Sequence, residues 1–275
     1  MKLRGILHNH SECSKEGCYP LETLYNRWVS KIDFAAMTEH AERTTAEAFA
    51  SYIQLCDELS DEHFRFIPGL EVATNSGDML LLGCRKFICT TDPFQVLKEA
   101  EDCVILLAHP EEGHIIPAIL QQVDGFEGWN SGHMGGYMPP LDWFRIWKRQ
   151  FSKGKIMTGG NDIHKVDPKR KILTIVESLS DTEAGILDAI RQGNFLTSNG
   201  IFSFTPDGRV FLAKGKSGPG FQITERKPFA LLAICYRALW RAFNCCIENG
   251  ANVLAFLGID KQKRTSLNRL IRQHL

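Results

Sequence analysis

No stretch of the chain supplies about 18 consecutive apolar residues free of charge, so nothing in it reads as a membrane span. The first residues, Met-Lys-Leu-Arg-Gly-Ile-Leu-His, pass straight into a polar motif without the apolar segment of a signal peptide. The expectation is a soluble, non-exported, cytoplasmic protein. CxxC pairs are also missing. The nine cysteines, at 13, 18, 56, 84, 89, 103, 235, 245 and 246, are odd in number and widely spread. That argues against a zinc ribbon or a dense disulfide framework and fits mostly buried thiols in a reducing compartment. Internal repeats and low-complexity segments are absent too.

Net charge is zero, with 32 Lys/Arg against 32 Asp/Glu, but the balance conceals an asymmetry. Residues Arg209 to Leu275 hold twelve basic and three acidic residues, leaving twenty basic and twenty-nine acidic residues in the preceding 208. An acidic body suits a cation site. A basic tail suits a phosphate-bearing partner, an acidic protein or the body itself. With 275 residues, 44% of them hydrophobic, the chain is long enough for one large core. The expected division is a domain over 1–208 and a basic, partly helical extension over 209–275.

Short apolar runs alternate with helical segments through the first 200 residues. Gly5–Leu7, Phe34–Met37, Phe64–Ile67, Met79–Leu82, Val104–Leu107, Gly125–Glu127 and Lys155–Thr158 read as strands. Pro20–Ser30, Thr45–Ser60, Pro93–Asp102, Ile115–Gln122, Pro140–Lys153 and Thr182–Gln192 read as helices. The β-then-α order predicts a parallel α/β sheet, and the number of units favours a closed barrel. Polar residues follow the strands: His8 and His10 the first, Glu39 and His40 the second, Glu71 the third. His109 follows the fifth, Glu127 and Asn130 the sixth, Asp162 and His164 the seventh. Barrel enzymes build their sites at these strand ends, so residues remote in sequence should converge. In the His-x-His pair, strand alternation puts both imidazoles on one face, able to hold one ion.

The order of the motifs is more informative than any one of them: HNHSECSKEG (8–17), MTEHAERT (37–44), PGLEVATNSGD (68–78), LLAHPEEG (106–113), GFEGWN (125–130) and GGNDIH (159–164). In this set the chain resembles the PHP family, named for polymerases and histidinol phosphatases, over residues 3 to 200. The resemblance implies a distorted (β/α)7 TIM-like barrel and a metal-dependent phosphoesterase with two or three metal ions bridged by a carboxylate and hydroxide. Carried over motif by motif, His8, His10 and Asp162 hold a first metal. Glu71 bridges to a second, completed by His109, and Glu16, His40 and His164 hold a third. The chain departs from the family at two places. Glu16 stands where many members have Asp, and Gly77-Asp78 where many have Gly-His. Both put an oxygen ligand in the site, which favours manganese or iron over zinc.

Glu39 and Glu127 are candidates to orient metal-bound imidazoles. His133, on a glycine-rich loop, could protonate a leaving oxygen. Arg43, Asn130, Lys165 and Asn199 are candidate substrate contacts, the cationic ones through phosphate oxygens. Cys13 is read as packing. The expected substrate is a phosphorylated small molecule, a nucleotide included. A nuclease acting on 5′ ends of RNA or DNA through the basic tail, or a non-catalytic metal-binding regulatory domain, are the alternatives. The oligomeric state does not follow from the sequence.

Overall fold

Near-continuous apolar runs such as Met79–Leu82 and Val104–Leu107 mark strands buried on both faces. The computed structural model describes residues 1–15, 17–110, 117–134, 139–140, 144, 154–164 and 172–212. Within them the chain runs β1 (Lys2–Asn9), α1 (Leu21–Trp28), β2 (Phe34–Met37), β3 (Glu39–His40), α2 (Ala46–Leu59), β4 (Arg65–Ile67), β5 (Gly69–Thr74) and β6 (Gly77–Leu82). It continues with α3 (Pro93–Glu99), β7 (Val104–Leu107), α4 (Pro117–Gln122), β8 (Gly125–Asn130), α5 (Ser131–Met134), β9 (Ile156–Gly160), β10 (Leu173–Glu177), α6 (Glu183–Arg191), β11 (Phe195–Ser198), β12 (Phe202–Phe204) and β13 (Val210–Leu212). Of the helix expected over 140–153 only Pro140 and Phe144 are described, Phe144 N–H bonding to Pro140 O at 3.2 Å, and the extension beyond 212 lies outside the described residues. No helix among the described residues is long and apolar enough to cross a membrane.

The strands form a mixed α/β fold of two sheets, ordered β13-β12-β11-β10-β1-β2-β4 and β3-β5-β6-β7-β8-β9. The expected all-parallel order is corrected here, because β5/β6, β6/β7, β1/β10 and β10/β11 are antiparallel. The reason for β5/β6 is local. Only Asn75 and Ser76 separate the strands, and Gly77 at φ +95° completes the turn, a span too short for a parallel crossover. Strand β10 was not foreseen. Among the described residues the ladders do not close into a barrel. β2 and β4 pass into β3 and β5 through single residues, Thr38 and Pro68, where the ladder breaks. Pro68 has no N–H to donate. On the other side the sheets meet through a bridge of Asn9 with Ile163 and the bonds Asn161 N–H to Leu7 O (3.0 Å) and Asp162 N–H to His8 O (2.7 Å).

Alternation divides the core. Leu7, Phe34, Ala36, Leu80, Leu82, Val104 and Leu106 pack in one cluster. Their strand neighbours Ile6, Ala35, Met37, Met79, Leu81, Ile105 and Leu107 pack in another with α1 and α2. Each fully buried Leu, Ile, Val, Met or Phe side chain among them contributes about 1.5–3 kcal/mol. Helix starts are capped as composition predicts. Thr45 Oγ1 accepts from Ala48 N, Asp92 from Phe94 N with Pro93 following, and Thr182 from Gly185 N. What this frame does for the site is bring the ends of β1, β3, β5, β7, β8 and β9 together with the start of β6.

Candidate metal centre

Glu71 is the hub. It lies on β5, is 2% exposed, and turns its two carboxylate oxygens in different directions. Oε2 is 3.2 Å from His8 Nε2, 3.4 Å from His10 Nε2 and 3.3 Å from His40 Nδ1, whereas Oε1 is 3.2 Å from His109 Nε2. Asp162, after β9, adds Oδ1 at 3.2 Å from His10 Nε2, 3.6 Å from His8 Nε2 and 3.1 Å from His164 Nδ1. His40 and His164 bring their Nε2 atoms to 3.1 Å. Asp78 starts β6, and because β6 runs antiparallel its beginning lies with the other strands' ends. Its Oδ2 is 3.9 Å from His109 Nε2.

The backbone is bent to allow this. Four described non-glycine residues have positive φ, and three of them belong to the cluster: His8 (59°), Asp162 (52°) and His109 (24°). A left-handed L-residue costs about 1–2 kcal/mol, so the surroundings hold these residues in place. Much of that hold comes from Glu127, fully buried on β8. One oxygen accepts from His8 Nδ1 at 2.9 Å, and the other from His109 N–H at 3.0 Å and Asn130 Nδ2 at 2.9 Å. Gly160 is required beside it, since a Cβ there would fall on Glu127 Oε1.

The electrostatics suit the binding of cations. Glu71 and Glu127 are buried and the Asp162 side chain is 7% exposed, and among the described residues no Lys or Arg forms an ion pair with them. Buried charge needs a partner, and here the partners are imidazoles. Burial disfavours a charged His8, but Glu127 and Glu71 outweigh it and raise its pKa well above the usual value. His109 is raised likewise, burial being outweighed by Glu71 and Glu127. His10 is pushed down to about 4, by burial first, opposed by Asp162. Burial resists the charge of Asp162 and Glu71, yet the surrounding histidines hold both carboxyls far below the ordinary range. Neither ring nitrogen of the buried His10 has a hydrogen-bond partner among the described residues. Its Nε2 lies 3.4 Å from Glu71 Oε2 and 3.2 Å from Asp162 Oδ1.

Four groups of side chains offer ligand atoms within 4.8 Å of one another: His8, His10, Glu71 and Asp162; Glu71, Asp78 and His109; His10, His40 and His164; and His109, His133 and Asp162. Eight of the nine expected ligands are thus brought together, and Glu16 lies outside the described residues, as does Lys165. Other expectations change. Glu39 binds no imidazole in its described hydrogen bonds. Its carboxylate accepts from Ser11 N–H (2.9 Å) and from Ser14 N–H (3.2 Å) and Oγ (2.6 Å), so it shapes the loop after β1. Asn130, expected at the substrate, is buried with both ends of its amide engaged by Glu127 and by the N–H groups of Gly132 and His133. Asn199 Oδ1 accepts from Ile201 and Phe202 N–H and closes the β11–β12 turn. Arg43 is exposed on the 3-10 turn after His40, its Nε 3.9 Å from Glu42. The six described cysteines are free thiols. Cys13 is half-buried beside Thr44, and burial raises its thiol to about 11.

A constellation of imidazoles and carboxylates at the strand ends of a mixed α/β sheet pair defines a candidate multinuclear metal-binding fold. One structural neighbour of this chain carries the PHP-like description that the six motifs suggested. A two-domain protein of Bacteroides vulgatus, containing a predicted PHP-like metal-dependent phosphoesterase, is similar with a TM-score of 0.56 and 17% identity. That likeness covers 72% of this chain, which spans 65% of the Bacteroides protein. PsfC from Pseudomonas syringae has a TM-score of 0.53 and 15% identity, over 72% of this chain and 90% of PsfC. At these identities the likeness is one of fold. No family model matches the chain, and no curated protein does.

Proposed function

We propose that the chain is a metal-dependent phosphoesterase that hydrolyses a phosphate mono- or diester, of a small molecule or nucleotide, in the cytoplasm. The observation that carries this reading is the convergence of the motif residues on Glu71, with buried carboxylates facing imidazoles and no described Lys or Arg ion partner. The donor set fits divalent transition metals, with manganese or iron preferred over zinc. In this reading His8, His10, Glu71 and Asp162 would hold one ion, and Glu71, Asp78 and His109 would hold a second. His40 and His164, with Glu16 as the motif order implies, would hold a third. The two sheets are then a PHP-type barrel opened at Thr38 and Pro68, and because β13 (Val210–Leu212) pairs with β12 in it, the basic extension expected from 209 begins after β13.

Bound cations would supply Lewis-acid polarisation of a phosphoryl oxygen and an activated water. The rest is the work of side chains. Glu127 accepts the Nδ1 proton of His8 and thereby turns the Nε2 lone pair inward. Glu71 divides its oxygens between His109 and the His8, His10 and His40 group, so two ions can share it. Burial of Glu71, His8 and His10 excludes bulk water and strengthens each of these interactions.

The test is turnover of p-nitrophenyl phosphate, bis-p-nitrophenyl phosphate, nucleotides and short oligonucleotides with manganese, iron and zinc. Asp162→Ala should abolish metal-dependent hydrolysis. Undiminished turnover in that variant would refute the reading. The twelve-to-three excess of basic residues after 208 favours one alternative, a 5′-end-directed nuclease. Oligonucleotide affinity that falls steeply with salt and is lost on truncation after Gly208 would select it.

A further inference from the structure

His133 stands outside the ligand set that the motifs imply, yet its imidazole reaches the centre. Nε2 lies 2.9 Å from Asp162 Oδ2, and its ring stacks on that of His109 with centroids 4.1 Å apart and planes at 24°. Two features hold it there. Asn130 Oδ1 accepts from the backbone N–H groups of Gly132 (2.9 Å) and His133 (3.2 Å), fixing the start of α5 on the end of β8. Gly132 leaves the room, because a Cβ at that position would stand 3.0 Å from Asp162 Cβ and 3.2 Å from Asp162 Oδ2.

Asp162 is therefore two-sided. Oδ1 faces His8, His10 and His164, and Oδ2 faces His133. The group His109, His133 and Asp162 shares His109 with the group Glu71, Asp78 and His109. We infer that His133 Nε2 and Asp162 Oδ2 are ligands of the ion held by His109, so that this position carries two imidazoles and Asp162 joins Glu71 as a second bridging carboxylate. The inference rests on the metal-site reading above.

It gives a chemical account of the departure at Gly77-Asp78. A carboxylate there removes a nitrogen from the second position and hardens it. His133 returns a nitrogen from a different element, the short α5, through the Asn130 and Gly132 geometry. A nitrogen whose lone pair holds a cation has no proton to give, so the ligand role takes the place of the acid role expected for His133 from the sequence.

Metal-free protein titrated with Co²⁺, followed by visible absorption and by elemental analysis of bound equivalents, tests this without reference to turnover. His133 is 53% exposed in its side chain, so His133→Ala should keep the fold. The expected result is one equivalent lost, or one bound about 10-fold or more weakly, with a changed absorption spectrum. Gly132→Ala, which displaces α5 from Asp162, should shift binding in the same direction. A His133→Ala titration superimposable on wild type overturns the inference and leaves the metal site standing. Wild-type protein that binds no Co²⁺ overturns the metal-site reading itself. Should His133→Ala lose its fold by circular dichroism, His133→Gln decides by the same two results.

Discussion

Glu127→Gln removes one charge and almost no volume at the point where three donors meet. His8 Nδ1–H, His109 N–H and Asn130 Nδ2–H all donate to this carboxylate, at 2.9, 3.0 and 2.9 Å. A glutamine has one oxygen and one NH2 to offer. With NH2 toward His109 and Asn130 it meets two donors; turned toward His8 it meets one. The second orientation is favoured, and its remaining clash is relieved if His8 moves its proton from Nδ1 to Nε2. That puts a hydrogen on the nitrogen that faces Glu71 and Asp162, where the lone pair is needed. Loss of such an orienting partner typically weakens metal binding about 10–100-fold, or about 1.4–2.7 kcal/mol. The assay is competition for Mn²⁺ or Zn²⁺ against a calibrated chelator, with the His8 tautomer read from ring ¹⁵N shifts. Unchanged affinity, with His8 still protonated at Nδ1, would refute the argument.

Three further outcomes are expected. Gly160→Ala drives a methyl onto Glu127 Oε1 and should destabilise the fold by about 3 kcal/mol, seen as a lowered denaturation midpoint. Midpoints within error of wild type would contradict the packing described. Metal binding at pH 7 should release protons. The pKa values of His8 and His109 are raised above the usual value, so cation-free protein holds protons there that bound cations displace. Apparent affinity therefore falls as pH drops through those raised values, and calorimetric heats should vary with the ionisation enthalpy of the buffer. Buffer-independent heats would speak against it. Chelation should lower the melting temperature: at free metal 100 times its Kd the stabilisation is about 2.7 kcal/mol, or about 5–10 °C. An unmoved melting curve would show that the ions do not bind the folded state preferentially.

Much of the site was legible because its chemistry is written in residue type and order. His-x-His after an apolar run, Glu71 after Gly69-Leu70, and Asp162 with His164 after a glycine pair name donors whatever the exact fold. The frame was less legible. Apolar runs identify strands buried on both faces but carry no information on partner direction, so the antiparallel β5–β6–β7 arrangement was missed although Asn75-Ser76-Gly77 marked a tight turn. The run at β10 was passed over between the last motif and α6. Side-chain roles set by three-dimensional proximity were hidden too. Nothing local to Glu39 says that its partners are Ser11 and Ser14, and nothing in the residue types at His8, His109 or Asp162 announces left-handed backbone. Gly132 was the available signal for His133, a small residue where α5 comes close to Asp162.

The central claim is that the cluster around Glu71 is a multinuclear metal site. Elemental analysis of purified protein, as isolated and after saturation with manganese, iron or zinc and removal of excess, tests it directly. The account predicts two or three equivalents per chain, falling in Asp162→Ala and His10→Ala variants that remain folded. Less than one equivalent under every condition in folded wild-type protein would contradict it.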